Sequence, residues 1–248
     1  MPSPASPLAA TTPPQTGPPR APALLAAPLR EARLLREPLR RLRARRRLAG
    51  LPRGDGGPVL VLPGMHVGDW STFDLRRFLR RLGWDARGWE LGMHRADVLH
   101  TLPKVLARLE AVAADAGRSV ALVGWSLGGV VAREAARLRP DLTRAVVTLG
   151  APVVGGPKYV AVSYPYRRRG WDLDELERLV DEAARVPIRV PLTAIYSRRD
   201  GIVDWRACLD RRAPDARHVE VESSHWGLGV DPDALVAIAR ALAEAPAE

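Results

Sequence analysis

Gly124-Trp125-Ser126-Leu127-Gly128, followed by Gly129, is the strongest chemical signal in the chain. By chance a Gly-x-Ser-x-Gly pattern arises in roughly 8% of chains this long, so its flanks decide its meaning. Upstream, Val120–Val123 reads as a strand; downstream, Val130–Leu138 reads as a helix. The turn between them must be sharp, and glycines flank the serine because larger neighbours would clash. Such a turn exposes a hydroxyl at a helix N-terminus, where backbone N–H groups favour developing negative charge. The competing reading is a Gly-rich turn with a helix-capping serine. A Walker phosphate loop is excluded, since no Gly-Lys-Ser/Thr follows. The chemistry this predicts is nucleophilic attack by a serine hydroxyl.

A serine nucleophile needs a base, and the base an orienting acid, in the chain order Ser, acid, His for a strand–turn–helix nucleophile. Of five histidines, only His218 and His225 follow Ser126. His218 falls inside an expected strand. His225 follows that strand in Ser223-Ser224-His225-Trp226-Gly227 and is the expected base. For the acid, the strand before Asp200 runs into a turn that also holds Asp204. Asp200 is favoured because catalytic groups project from strand ends. Asp204 is the alternative, as a cap or turn residue.

An oxyanion hole completes the machinery. Its expected donors are the backbone N–H groups of Leu127 and Met65, the latter in the loop Leu62-Pro63-Gly64-Met65-His66. His66 is expected to line the substrate site or face water, and Trp125 and Trp226 to line it or pack beneath it. His66 and Asp69 resemble a metal pair, but two ligands are too few, so no metal is expected. Asp69 is instead expected to cap the following helix.

These residues need a scaffold that brings distant loops together. A continuous apolar run marks a strand at Pro58–Leu62, and further strands are expected at Ser119–Val123 and Arg144–Leu149 and near Trp84–Leu91, Leu192–Ser197 and His218–Glu222. Helical periodicity places Leu75, Phe78, Leu79 and Leu82 on one face, predicts a helix over Val98–Ala116, and aligns Leu235, Ile238, Ala239 and Leu242 near the C-terminus. Strands alternating with helices imply a parallel sheet covered on both sides, with ligands beyond the strands' carboxyl ends. Between Pro152 and Pro187 no core strand is evident, only a helix over Leu173–Ala184.

Composition bounds the rest. The chain has 248 residues and a net charge of +10, of which residues 1–50, with ten Arg and two Glu, carry +8. Only two lysines accompany 36 arginines, a bias that reads as genome composition before chemistry. Cys208 is the one cysteine, which excludes an internal disulfide and a multi-cysteine metal site. Residues 1–28 read as a disordered Pro/Ala-rich tail that makes a poor secretory signal. An Arg-rich helical arm over 29–50 follows, with Leu35, Leu39 and Leu42 as a narrow stripe. The stripe is expected to dock on the chain's own domain with the arginines in water; the alternative is peripheral membrane contact. No nucleic acid partner is expected. Lacking a signal or a membrane span, the chain is expected in the cytoplasm.

Residues 51–248 form the expected catalytic domain, and over 51–245 it resembles the α/β-hydrolase superfamily, in its bacterial serine esterase/lipase-like branch. The resemblance rests on Leu60-Val-Leu-Pro-Gly64, Gly68-Asp-Trp-Ser71, Gly124-Trp-Ser-Leu-Gly-Gly129, Thr148-Leu-Gly-Ala-Pro152, Tyr196-Ser-Arg-Arg-Asp200-Gly-Ile-Val203 and Ser224-His225-Trp226-Gly227. It implies a nucleophile at Ser126, a base at His225, its partner at Asp200 and no cofactor. It also implies a lid in the insertion over about 153–187. One departure is the Arg-rich arm standing where a strand hairpin usually precedes the oxyanion loop, which predicts a shortened, mainly parallel sheet of about six strands. Hydrolysis of a small acyl ester is the leading expectation. Acyl transfer or thioester cleavage by the same triad comes next, and a noncatalytic anion- or membrane-binding module last.

Overall fold

Alternation along each strand sends consecutive side chains into two separate cores. In β1 (Pro58–Leu62), Val59 and Val61 face one core while Leu60 and Leu62 face the other, and the whole strand is buried. That is why it reads as an unbroken apolar run. The computed structural model describes residues 17–23, 27–213 and 215–246. Most of the tail expected over residues 1–28, positions 1–16 and 24–26, lies outside them.

Among the described residues β1 is joined by β2 (Asp85–Gly88), β3 (Val120–Trp125), β4 (Thr143–Leu149), β5 (Leu192–Tyr196) and β6 (Arg217–Glu220). They form one sheet in the order β2-β1-β3-β4-β5-β6, with every pair parallel. This is the six-stranded parallel sheet expected. Two helices cover one face: α4 (Phe73–Arg81), through Leu75, Phe78 and Leu79, and α9 (Pro232–Glu244), through Leu235, Ile238 and Leu242. The other face carries α5 (Val98–Ala116) and α6 (Leu127–Leu138), through Val105, Leu109, Val131 and Ala135. Burying each such aliphatic side chain contributes about 1.5–3 kcal/mol. The periodic stripes in the sequence are therefore the helix faces that pack.

The expected strand at Trp84–Leu91 stops early, at Gly88. The Asp69 carboxylate accepts the N–H groups of Trp89 and Glu90, both at 3.0 Å, and so draws them out of the ladder. This also corrects the expectation for Asp69: Gly68 occupies the cap position of the following turn, Asp69–Thr72, and no side chain caps it.

The basic arm is helical in short pieces: α1 (Ala27–Glu31), a 3-10 turn at Ala32–Arg36, α2 (Glu37–Arg43) and α3 (Arg45–Ala49). It docks on the domain, but not by the face expected. Glu37 is buried; Arg40 pairs with Glu37, Asp231 and Asp233, and Arg47 reaches Asp233 at 2.6 Å. Leu35, Leu39 and Leu42 face outward. Ion pairs at the N-terminus of α9, with Leu48 packed against the core, hold α2 and α3, not burial of Leu35, Leu39 and Leu42, and the stripe rule fails for that reason.

Within the insertion, a 3-10 turn at Gly156–Tyr159 precedes α7 (Tyr164–Arg168) and α8 (Leu173–Ala183). Lys158 ties the turn to α8 through Asp174 at 2.5 Å and Glu177 at 2.6 Å. No described helix is long and apolar enough to cross a membrane.

Candidate active site

Ser126 connects β3 to α6 with φ 54° and ψ −123°, a conformation an L-residue adopts only under strain. Close packing enforces it. A Cβ on Gly128 would lie 2.4 Å from the Pro63 carbonyl oxygen, and one on Gly124 would lie 2.4 Å from the Gly128 carbonyl oxygen. Neither glycine can be replaced without moving backbone, so this spacing follows from geometry. The Ser126 N–H is fixed by the Leu149 carbonyl at 2.8 Å.

His225 lies beyond β6 and Asp200 beyond β5, at the carboxyl ends of their strands. Their side chains meet, with Nδ1 of His225 2.7 Å from Oδ2 of Asp200, and both residues are buried. A carboxylate only accepts here, so Nδ1 carries the proton and Nε2 keeps its lone pair. The other Asp200 oxygen accepts the N–H groups of Ile202 and Val203, both at 2.8 Å. Asp204, the alternative acid, accepts the N–H of Arg206 at 3.1 Å and caps the turn Trp205–Cys208, four residues from the histidine's partner. His218 stays within β6 and is buried there.

Burial alone would depress the His225 pKa. The charge and hydrogen bond of Asp200 and the charge of Glu31 outweigh it, so the imidazole titrates above its ordinary value.

Met65 and Leu127 stand at the ends of the two loops expected to bind an oxyanion. Neither N–H has a protein acceptor among the described residues. Their loops touch: a Cβ on Gly64 would lie 3.4 Å from the Cβ of Ser126. Beneath the first loop, His94 is fully buried with Nδ1 3.2 Å from the Pro63 carbonyl oxygen, which fixes that donor on Nδ1. Burial pushes its pKa down, and the neutral ring braces the loop.

Of the three residues expected to line the site, Trp125 takes the alternative place beneath it. It is buried with its ring 5.7 Å from that of His225, and its Nε1 donates to the His225 carbonyl at 3.1 Å. It supports the histidine from below rather than facing a ligand. Trp226 packs edge-on against Trp125 at 5.2 Å and is 44% exposed. His66 is exposed, on backbone with φ 60°. Beside the elbow, the insertion's Tyr166 and Leu173 pack with Leu127 and Ala96, with Met65 and Trp171 at the margin. An apolar wall therefore stands next to Ser126.

Sequence reasoning missed Glu31. Its Oε1 accepts the N–H groups of Gly201 and His225, each at 3.0 Å, and its Oε2 accepts that of Trp226 at 2.9 Å. One carboxylate from the arm thus holds both loops that deliver the Asp200–His225 pair. No local pattern announces it, because its partners are backbone groups without a side-chain signature. Gly150 was also missed. With φ 55° it lies against the pair, and a Cβ there would be 3.1 Å from both Asp200 Oδ2 and His225 Nδ1. Among the described residues, no group of three or more His, Cys, Asp or Glu side chains could hold a metal ion.

No family profile matches this sequence, and no curated protein matches it either. Solved structures do resemble it. One, from work on the metagenome-derived lipolytic enzymes LipS and LipT, has a TM-score of 0.59 at 15% identity, covering 78% of this chain and 94% of that one. The monoacylglycerol lipase of Paleococcus ferrophilus has a TM-score of 0.54 at 15% identity, over 78% and 95% of the two chains. The thioesterase domain from the curacin biosynthetic pathway has a TM-score of 0.52 at 15% identity, over 78% and 93%. At these identities the likeness speaks for architecture, and with the six-stranded parallel sheet it shows that this chain has the α/β-hydrolase fold.

Proposed function

We propose that this protein is a serine hydrolase that cleaves carboxylic esters through an acyl-serine intermediate. The observation that carries the reading is the 2.7 Å hydrogen bond from His225 to Asp200 beyond the carboxyl ends of β5 and β6, the same edge of the sheet as the strained Ser126 turn. The lipolytic and esterase neighbours support the same reading.

Ser126 Oγ attacks the ester carbonyl carbon while His225 Nε2 takes the hydroxyl proton. The negative charge that forms on the carbonyl oxygen is met by the Met65 and Leu127 N–H groups; one such donor is worth about 2.7–4 kcal/mol in the transition state. The carbon–oxygen bond to the alcohol breaks, and His225 returns the proton to the leaving alcohol. Water then attacks the acyl-serine, His225 again carrying the proton, and the carboxylic acid leaves as Ser126 regains its hydrogen. Asp200 keeps the ring in the correct tautomer and stabilises the imidazolium. The apolar wall of Leu127, Tyr166 and Leu173 suits the acyl chain. The segment over 153–187 serves as its lid, gating water from the acyl-serine.

A second reading keeps the intermediate and changes the leaving group to a thiol, in line with the thioesterase neighbour. A series of soluble acyl esters of increasing chain length, set beside the matching thioesters, tests both. Turnover of esters that disappears in Ser126→Ala is the expected result. Thioester turnover without ester turnover selects the second reading, and turnover of neither overturns both.

A further inference from the structure

The arm's short helical pieces dock the wrong way round for a segment that serves only its own domain. Its charged side is the docked side: Glu37 is 3% exposed, and Arg40 and Arg47 join Asp231 and Asp233. Leu35, Leu39 and Leu42 follow one another at helical spacing on the opposite side and are 83%, 52% and 57% exposed. Three leucines held in water forgo the gain of burial unless something covers them.

The flanks indicate what covers them. Arg36 stands beside Leu35 at the end of the 3-10 turn, Arg43 beside Leu42 at the end of α2, and Arg45 and Arg46 open α3 just beyond. All four are exposed, and none has an ion-pair partner among the described residues. A leucine ridge beside free guanidinium groups matches a surface that is anionic outside and apolar beneath. Nucleic acid would use the arginines but leave the leucines in water. A second copy would bring like charges face to face.

We propose that the outward face of residues 35–46 binds anionic lipid, with Leu35, Leu39 and Leu42 entering the acyl region and the arginines meeting the headgroups. At the start of the same arm, Glu31 at the end of α1 holds the loops of Asp200 and His225. Lipid binding therefore holds the candidate site beside the membrane surface. The proposal does not rest on the esterase reading.

Flotation of the full chain with vesicles tests it, comparing phosphatidylcholine alone with phosphatidylcholine containing phosphatidylglycerol. The expected result is at least about tenfold more protein floating with the anionic vesicles. A similar loss is expected in the triple variant Leu35→Ser, Leu39→Ser, Leu42→Ser, whose unfolding midpoint stays near that of the parent because these side chains already face water. Three results overturn the proposal. One is unchanged flotation of the triple variant, which reduces the binding to charge alone. Another is no flotation together with retention on a single-stranded oligonucleotide. The third is a dimer in sedimentation that the triple variant abolishes.

Discussion

The backbone N–H of His225 donates to Oε1 of Glu31 at 3.0 Å, joining residues 194 positions apart. Because the same oxygen accepts the N–H of Gly201, the carboxylate sets the spacing between the loop of His225 and the loop of Asp200. Hydrogen bonds to a charged acceptor contribute about 1.5–3 kcal/mol each, and misplacement of a reacting group by an ångström costs about 100-fold. Glu31→Ala is expected to lower kcat by about 10- to 100-fold with little change in KM. Steady-state kinetics beside a thermal melt checks this. A lowered melting point with unchanged kcat contradicts a positioning role.

The pH profile follows from the same contact. In the proposed mechanism His225 takes a proton only when neutral, and its pKa lies above the ordinary 6.5, raised against burial by Asp200 and Glu31. The acidic limb of hydrolysis is therefore expected to have its midpoint above 6.5. Glu31→Gln removes one of the two charges and moves that midpoint to lower pH. Asp200→Asn moves it lower still, and loss of the tautomer lock cuts kcat by about 10,000-fold. The linked stability has the opposite slope. The folded chain holds the His225 proton more tightly than the unfolded chain, so this contribution is complete below 6.5 and is lost as pH rises through the folded value.

Gly150 offers a test by addition rather than removal. Its φ of 55° strains any side chain, and a Cβ would lie 2.7 Å from Leu228 Cδ1 as well as against the Asp200–His225 pair. Gly150→Ala is expected to lose about 1–3 kcal/mol of stability, together with most of the activity. Gly229→Ala, where a Cβ would meet nothing within 4 Å, is expected to change stability by less than about 0.5 kcal/mol. Equal melting points for the two variants contradict this account of the packing.

Docking of the arm is expected to weaken in alkali. Glu37 is pushed up to about 7 by burial and by the charge of Asp231, against the pull of Arg40; Asp233 and Arg47 complete the cluster. A raised carboxyl pKa means that stabilisation by the protonated form is complete in acid and fades as pH rises through about 7. Hydrogen exchange in residues 37–49, corrected for intrinsic rate, is expected to quicken relative to α5 between pH 6 and pH 9, a range that brackets this value by about one to two units. Glu37→Gln is expected to remove the change. Protection independent of pH in the parent chain contradicts the cluster's role.

The sheet was legible because its central strands are buried on both faces, and Val59 and Leu60 belong to different cores yet are equally apolar. The Ser126 turn was legible because Gly124 and Gly128 face backbone at distances no side chain tolerates. His225 and Asp200 followed from the rule that groups act from strand ends, and the structure brings them within a hydrogen bond. What stayed hidden depends on contacts without a local pattern. Asp69 shortens β2 by capturing N–H groups twenty positions away. Glu31 grips backbone from across the chain. The outward turn of Leu35, Leu39 and Leu42 was misjudged because the arm docks through ion pairs with residues near the other terminus.

The central claim is that Ser126 is the nucleophile of this site. Treating the protein with a fluorophosphonate and mapping the modified peptide by mass spectrometry tests it most directly. One adduct on Ser126, absent in Ser126→Ala and appearing in step with loss of ester hydrolysis, is the predicted result. A protein that hydrolyses esters yet carries no adduct on Ser126, or one whose Ser126→Ala variant keeps the parent's activity, contradicts it.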